Sequence, residues 1–145
     1  MNESSTARPT TGFWVISGIA LVWNLLGVAA YLMHVSLGPD DFAAMSEAEA
    51  ALYTDAPSWV TGAYAIAVFG GALGCVGLLL RKAWALPVFV VSMVGILAQM
   101  GYSLLVQNTI EVMGASIVIM PLVIIAIGAY LIWFSQRSRS TGVLV

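Results

Sequence analysis

Long apolar runs separated by short polar breaks organise this chain. Four stand out: Phe13–Leu37, Trp59–Leu80, Ala83–Leu105 and Val112–Phe134. Each holds 22 to 25 residues, and about 20 suffice to cross a bilayer core as a helix. Inside lipid the backbone has no water to bond, so only helices and closed barrels can span. Unbroken runs, in place of ten-residue alternation, select helices. The connections are short, which makes sequence neighbours antiparallel neighbours in space. The pattern predicts an all-α membrane protein, a four-transmembrane-helix antiparallel bundle. It forms one membrane domain, residues 1–145, with spans at about 13–37, 59–80, 83–105 and 112–134. The first run is about twice as long as a signal-peptide core and has Asn24 in its middle, so it reads as a retained helix.

The one sizeable break, within Ser36 to Trp59, carries its own helical signals. Pro39-Asp40-Asp41 opens a turn over about 40–45. Ser46 and Glu49 have the spacing of a capping box, in which the serine caps the helix and the glutamate reaches back. A second short helix is expected over about 46–54, stopped by Asp55 and Pro57. Its apolar positions Ala48 and Leu52 are expected to rest on the bundle or the interface.

Composition agrees with the pattern. Sixty-one per cent of the residues are hydrophobic and 8% charged, against about 45–50% apolar in soluble domains. Charge then orients the chain. Arg8, Arg81, Lys82, Arg137 and Arg139 fall on one side and six of the seven acids on the other. By the positive-inside rule both termini are cytoplasmic, and the loop between the first two helices lies on the opposite, outer side. Trp14, Trp84 and Trp133 then mark the inner interface and Trp59 the outer one. The net charge of −2 gives no basis for nucleic-acid binding. The single cysteine, Cys75, excludes an intramolecular disulfide and the paired-thiol oxidases.

Small and polar residues recur at helical spacing inside the runs. Gly70, Gly74 and Gly77 line one face of the second helix, Gly95 lies on the third, and Gly114 and Gly128 on the fourth. Membrane helices approach one another through such residues, so these six glycines are read as packing positions. Asn24 lies about 16 Å from the inner surface and Ser92 about 14 Å, at a pairable depth. Tyr31 and Gln99 match in the outer leaflet at about 27 and 24 Å. With His34, Tyr102, Ser103 and Glu111 they would gather beneath the acidic loop. Two readings stand side by side: a ligand-binding pocket formed by Asn24, Tyr31, His34, Gln99 and Tyr102, or amphipathic tips reaching for the interface.

No Asp, Glu, Lys or Arg falls within the apolar runs' cores, where ionisable groups mark proton relays and ion paths. No nucleophile–base pair, HExxH or glycine-rich phosphate loop is present either, so no catalytic residue, metal site or cofactor is assigned. One histidine cannot supply two axial ligands to haem. Residue chemistry thus leads to a non-enzymatic membrane protein that acts by helix packing, as an accessory or assembly subunit or a self-associating unit. Its partners are the lipid bilayer and a larger membrane complex or further copies of itself. The alternative is a small-solute (sugar-like) carrier or a lipid- or solute-binding protein with an outward-facing polar pocket. A redox or quinone-associated role would rest on Cys75 and His34 alone.

The stretches "LVWNLLGVAAYLMH", "DAPSWVTGAYAIAVFGGALGCVGLLLRKAWALPVFVVSMVGILAQM" and "LIWF" resemble a family of small four-helix bacterial inner-membrane proteins. The shared pattern is W-N-x-x-G-x-x-x-Y, a P-x-W turn, a glycine-rich middle, and L-L-L-R, a basic residue, then x-W-A-x-P-x-F. It falls here on Trp23, Asn24, Gly27, Tyr31, Trp59, Gly70, Gly71, Gly74, Arg81, Trp84 and Pro87. The resemblance covers about residues 13 to 134 and implies four helices in a bacterial inner membrane. Family members sometimes carry the label "sugar transporter". Ala30 stands where many relatives have an acid, which removes an ion-coupling group from the first helix.

Overall fold

The structure, a computed structural model, describes residues 7–145. Helix α1 spans Thr11–Val35, α2 Pro39–Ala43, α3 Glu47–Thr54 and α4 Ser58–Leu79. Helix α5 runs over Ala85–Gly101, α6 over Thr109–Met113 and α7 over Ile119–Ser140. Four helical stretches are long and apolar enough to cross a membrane: Thr11–Val35, Ser58–Leu79, Ala85–Val106 and Ala115–Ser140. The chain is therefore an all-α protein with four candidate spans, and its composition and helix lengths make it an integral membrane protein.

Local chemistry sets most helix ends. Thr10 caps α1 by accepting from the Phe13 amide at 3.1 Å. The α1 run stops at Val35, two residues short of the apolar limit, because Gly38-Pro39 starts a new turn. Asp41 accepts from the Gly38 amide at 2.8 Å. In α3 the Glu49 amide donates to Ser46 Oγ at 3.2 Å and the Ser46 amide to Glu49 Oε2 at 3.3 Å, a reciprocal cap. Ala48 is exposed, however, whereas Leu52 is partly buried, as are Glu49, Ala50, Ala51 and Tyr53.

Neither the third nor the fourth apolar run is a single uninterrupted α-helix. Beyond α5 the backbone widens into a π-helical turn, Tyr102–Val106, in which the Gln107 amide donates to the Tyr102 carbonyl. Asn108 then takes a left-handed conformation (φ 50°) before α6. At Gly114 the backbone has φ 93° and ψ 162°, a region that side chains exclude, and it separates α6 from a 3-10 turn, Ala115–Val118. An added Cβ at Gly114 would meet open space. Gly114 is therefore a break in the chain and not one of the packing glycines. Pro121 sits in the first turn of α7, directly after the 3-10 turn. Helix α7 continues six residues past Phe134, and Arg137 stacks over the Trp133 ring at 5.4 Å.

Helix α4 is the centre of the packing, against α1 on one side and α5 on the other, while α7 packs on α5. The α4–α5 contact is made through backbone. A Cβ at Gly95 would come within 2.8 Å of the Ala63 carbonyl oxygen and 3.0 Å of the Ala67 nitrogen. Gly74 accommodates the Phe89 ring, and Gly77 faces Trp84 and Ala85. Gly70 lies over Ser92, and Gly128 of α7 over the end of Met93.

The end of the bundle that carries the basic residues is closed by a clamp. Helix α4 ends in a Schellman arrangement, with the Lys82 amide bonding the Gly77 carbonyl and the Arg81 amide the Leu78 carbonyl. The left-handed position is Arg81 (φ 56°), where glycine is usual. Its guanidinium donates to Ala7 O at 2.9 Å and to Val143 O at 3.1 Å. The Val145 amide bonds Arg81 O, and Ala83 donates back to Val145 O. Leu144 is thereby buried in a core with Phe13, Leu78, Ala85 and Leu131.

Two outcomes follow from these contacts. Gly95→Ala should lower stability by about 1–3 kcal/mol, the range for overpacking against an unyielding neighbour. Gly62→Ala, which meets nothing within 4 Å, should be neutral or slightly stabilising; equal effects in an SDS-titration unfolding assay would refute the close approach. Arg81→Ala should cost about 1–3 kcal/mol through its lost charged hydrogen bonds. Arg81→Gly should cost about 1 kcal/mol less, since it relieves the left-handed strain.

Candidate functional site

Helices α1 and α7 meet at the basic end and part toward the acidic end. The Phe13 and Phe134 rings stack with centroids 5.6 Å apart, and Leu21, Ile127 and Leu131 fill in behind them. Above this seal, α1 lies chiefly on α4 and α7 chiefly on α5. The space between them is a cleft of about 370 Å³, within the roughly 300–1,000 Å³ of small-molecule sites.

Its walls come from all four long helices. Leu26, Gly27 and Ala30 of α1 face Met120 and Ile124 of α7. Tyr64, Ala67 and Val68 of α4, with Ile96, Gln99 and Met100 of α5, form the back. Leu26 and Met120 are 63% and 56% exposed, so the cleft opens sideways, toward lipid in a bilayer. Among the described residues no Asp, Glu, Lys, Arg or His side chain lines it, and its polar-bearing residues are Asn24, Gln99, Tyr64 and Trp23.

Asn24 and Gln99 line this cleft, whereas Tyr31, His34 and Tyr102 are placed elsewhere. Tyr31 packs edge-on against Tyr64 and Phe69, with centroids 5.3 and 5.7 Å away. His34 lies between Tyr53 of α3, at 5.0 Å, and Tyr64, at 5.4 Å. Tyr102 meets Trp59 edge-on at 5.3 Å. Ser103 accepts from Gln99 Nε2 at 3.4 Å, and its carbonyl accepts from Thr109 Oγ1 at 2.6 Å. The single polar cluster read from helix depth thus divides, because depth gives height in the membrane but not rotation about the helix axis.

The depth-matched pairs are likewise not direct partners. Asn24 Nδ2 donates to Ala20 O at 2.8 Å and to Cys75 Sγ at 3.4 Å. Ser92 donates to Ala67 O at 2.6 Å. Helix α4 stands between α1 and α5 and takes up both side chains; Gly71 is the residue they share.

Tyr64 was not singled out by sequence reasoning, yet it joins the cleft to an aromatic row. Phe42, Tyr53, His34, Tyr64, Tyr31 and Phe69 follow one another at ring distances of 5.0 to 6.1 Å. The row ties α3 to α1 and α4 at the acidic end of the bundle. Gln107 adds a second tie by donating to Leu52 O at 3.0 Å. A tyrosine inside an apolar run, one position off the alanine and glycine face, was the available signal. Among the described residues no three His, Cys, Asp or Glu side chains converge as metal ligands.

Tyr53→Ala removes the middle of the row and should loosen α3. Amide hydrogen exchange over Glu47–Thr54 is expected to speed up while α4 and α5 keep their protection; unchanged exchange would show that the Gln107 tie suffices.

Comparison with family models, curated proteins and solved structures found no match to this chain.

Proposed function

We propose that this integral membrane protein holds an apolar, membrane-dissolved molecule in the cleft between α1 and α7. The observation that carries the reading is the cleft itself: it is laterally open, bounded by all four long helices and lined mainly by apolar atoms. A sugar has a hydroxyl on nearly every carbon and would leave most of them unpaired against Leu26, Ile96, Met100 and Ile124. The lining therefore favours the lipid- or solute-binding form of the alternative over a sugar carrier. No catalytic step is assigned. The basic end is placed in the cytoplasm, by the positive-inside rule, with both termini there. The acidic cap of α2 and α3 then faces the periplasm of a bacterial inner membrane, in keeping with the family resemblance.

A second reading has its own observation. Gly18, Ile19, Val22, Trp23 and Leu26 line a shallow groove on the outside of α1, and Gly18 has open space where a Cβ would sit. Such a face admits another helix, as an accessory or self-associating subunit would need. A strictly monomeric chain with no co-purifying partner in native mass spectrometry would count against it.

Ala30→Trp tests the first reading by filling the cleft from a position that is open in the free molecule. Native mass spectrometry from nanodiscs should show an apolar ligand retained by the wild type and lost from the variant. Equal retention by both, or none by either, would refute the cleft as the site.

A further inference from the structure

The deepest part of the cleft is polar in one sense only. A recess of about 30 Å³ lies beneath it, and the two share Trp23, Asn24, Ile96 and Ile124 as lining. Asn24 and Ser92 face this recess with Gly71 between them. Both Asn24 amide hydrogens are engaged, by Ala20 O and Cys75 Sγ. The amide cannot be turned over, because its oxygen would then oppose the Ala20 carbonyl oxygen. Asn24 Oδ1 consequently points at Gly71, where it would overlap an added Cβ. Ser92 has given its one proton to Ala67 O, and its Oγ stands 3.6 Å from that same Cβ point.

Two oxygens with free lone pairs and no proton to give thus converge beside Gly71. They are not bonded to one another, and among the described residues no Lys, Arg or His lines the recess or the cleft. A space of this size takes one water-sized group. What it lacks is a hydrogen-bond donor. A carboxylate or phosphate would bring acceptors to acceptors, and negative charge to a site without a cation. An ether or ester oxygen fails for the first of those reasons.

We propose that the molecule held in the cleft is a neutral lipid alcohol. Its hydroxyl enters the recess and donates to Asn24 Oδ1, beside Ser92 Oγ, and its apolar body occupies the cleft above. The assignment rests on the cleft being a ligand site. It also gives Gly71 a role separate from that of Gly70: Gly70 makes room for α5, and Gly71 makes room for the Asn24 carbonyl oxygen.

The test compares decan-1-ol with its methyl ether, each carrying a diazirine near the far end of the chain. Both are equilibrated with the full chain in nanodiscs, photolysed, and mapped by peptide mass spectrometry. The alcohol should label the cleft segments 23–30 and 96–100 roughly two- to tenfold more than the ether, the worth of one hydrogen bond. Asn24→Leu should bring the alcohol down to the level of the ether and leave ether labelling in place, which also shows that the variant is folded. Equal labelling of the wild type by both probes overturns the hydroxyl assignment but leaves an apolar site. An alcohol preference that survives in Asn24→Leu overturns the recess as its cause. Labelling of the cleft by neither probe overturns the cleft reading itself.

Discussion

In a bilayer, lipid tails are as apolar as leucine, so one apolar helix gains nothing from hydrophobicity by joining another; close packing must supply the attraction. Here that packing is concentrated where α5 lies on α4. Gly95 sits against the Ala63 carbonyl, and Gly70, Gly74 and Gly77 receive Ser92, the Phe89 ring and Trp84. The contact fixes α4 in the middle. Helix α1 then docks on the other side of α4, and α7 on α5. With a central helix so placed, α1 and α7 are left without a shared wall over much of their length, and the cleft is the result.

The two ends solve different problems. At the basic end three distant parts of the chain are drawn together by one guanidinium, which bonds Ala7 and Val143. Arg81 bears a left-handed backbone to do so, a strain of about 1 kcal/mol. Buried Leu144 and the Phe13–Phe134 stack complete the seal. At the acidic end there is no such clamp among the described residues. Short capped helices cover the bundle there, held by the aromatic row through His34 and Tyr53 and by the Gln107–Leu52 bond. A molecule sealed at one end and lightly covered at the other places its accessible volume in the half nearer the acidic cap.

Polar groups inside the bundle are mostly spent on the backbone. Asn24 and Ser92 bond carbonyls of Ala20 and Ala67, the ordinary fate of such side chains in membrane helices. What is unusual is the direction of the leftover valences. Both oxygens lie beside Gly71, at the recess that Asn24 and Ser92 line, and the missing Cβ there makes room for Asn24 Oδ1. Ser17 and Ser135 differ, since their fully buried hydroxyls find no hydrogen-bond partner among the described residues.

The sequence by itself determined the class of molecule. Helix length against bilayer thickness needs no tertiary information, so the four apolar runs were legible as spanning helices. The Ser46–Glu49 cap was equally legible, because a capping box is made within four residues. The break at Gly114 was not: the residues around it are as apolar as a span, and only its backbone conformation distinguishes it. Arg81 read as a topology signal, while its bonds to Ala7 and Val143 join positions 74 and 62 residues away. For the candidate site, sequence gave the depth of Asn24 and Gln99, which is a count of residues times the helical rise. Which way each side chain turned was decided by α4 lying between α1 and α5. Rotation about a helix axis is set by what the helix packs against, and that belongs to the tertiary structure alone.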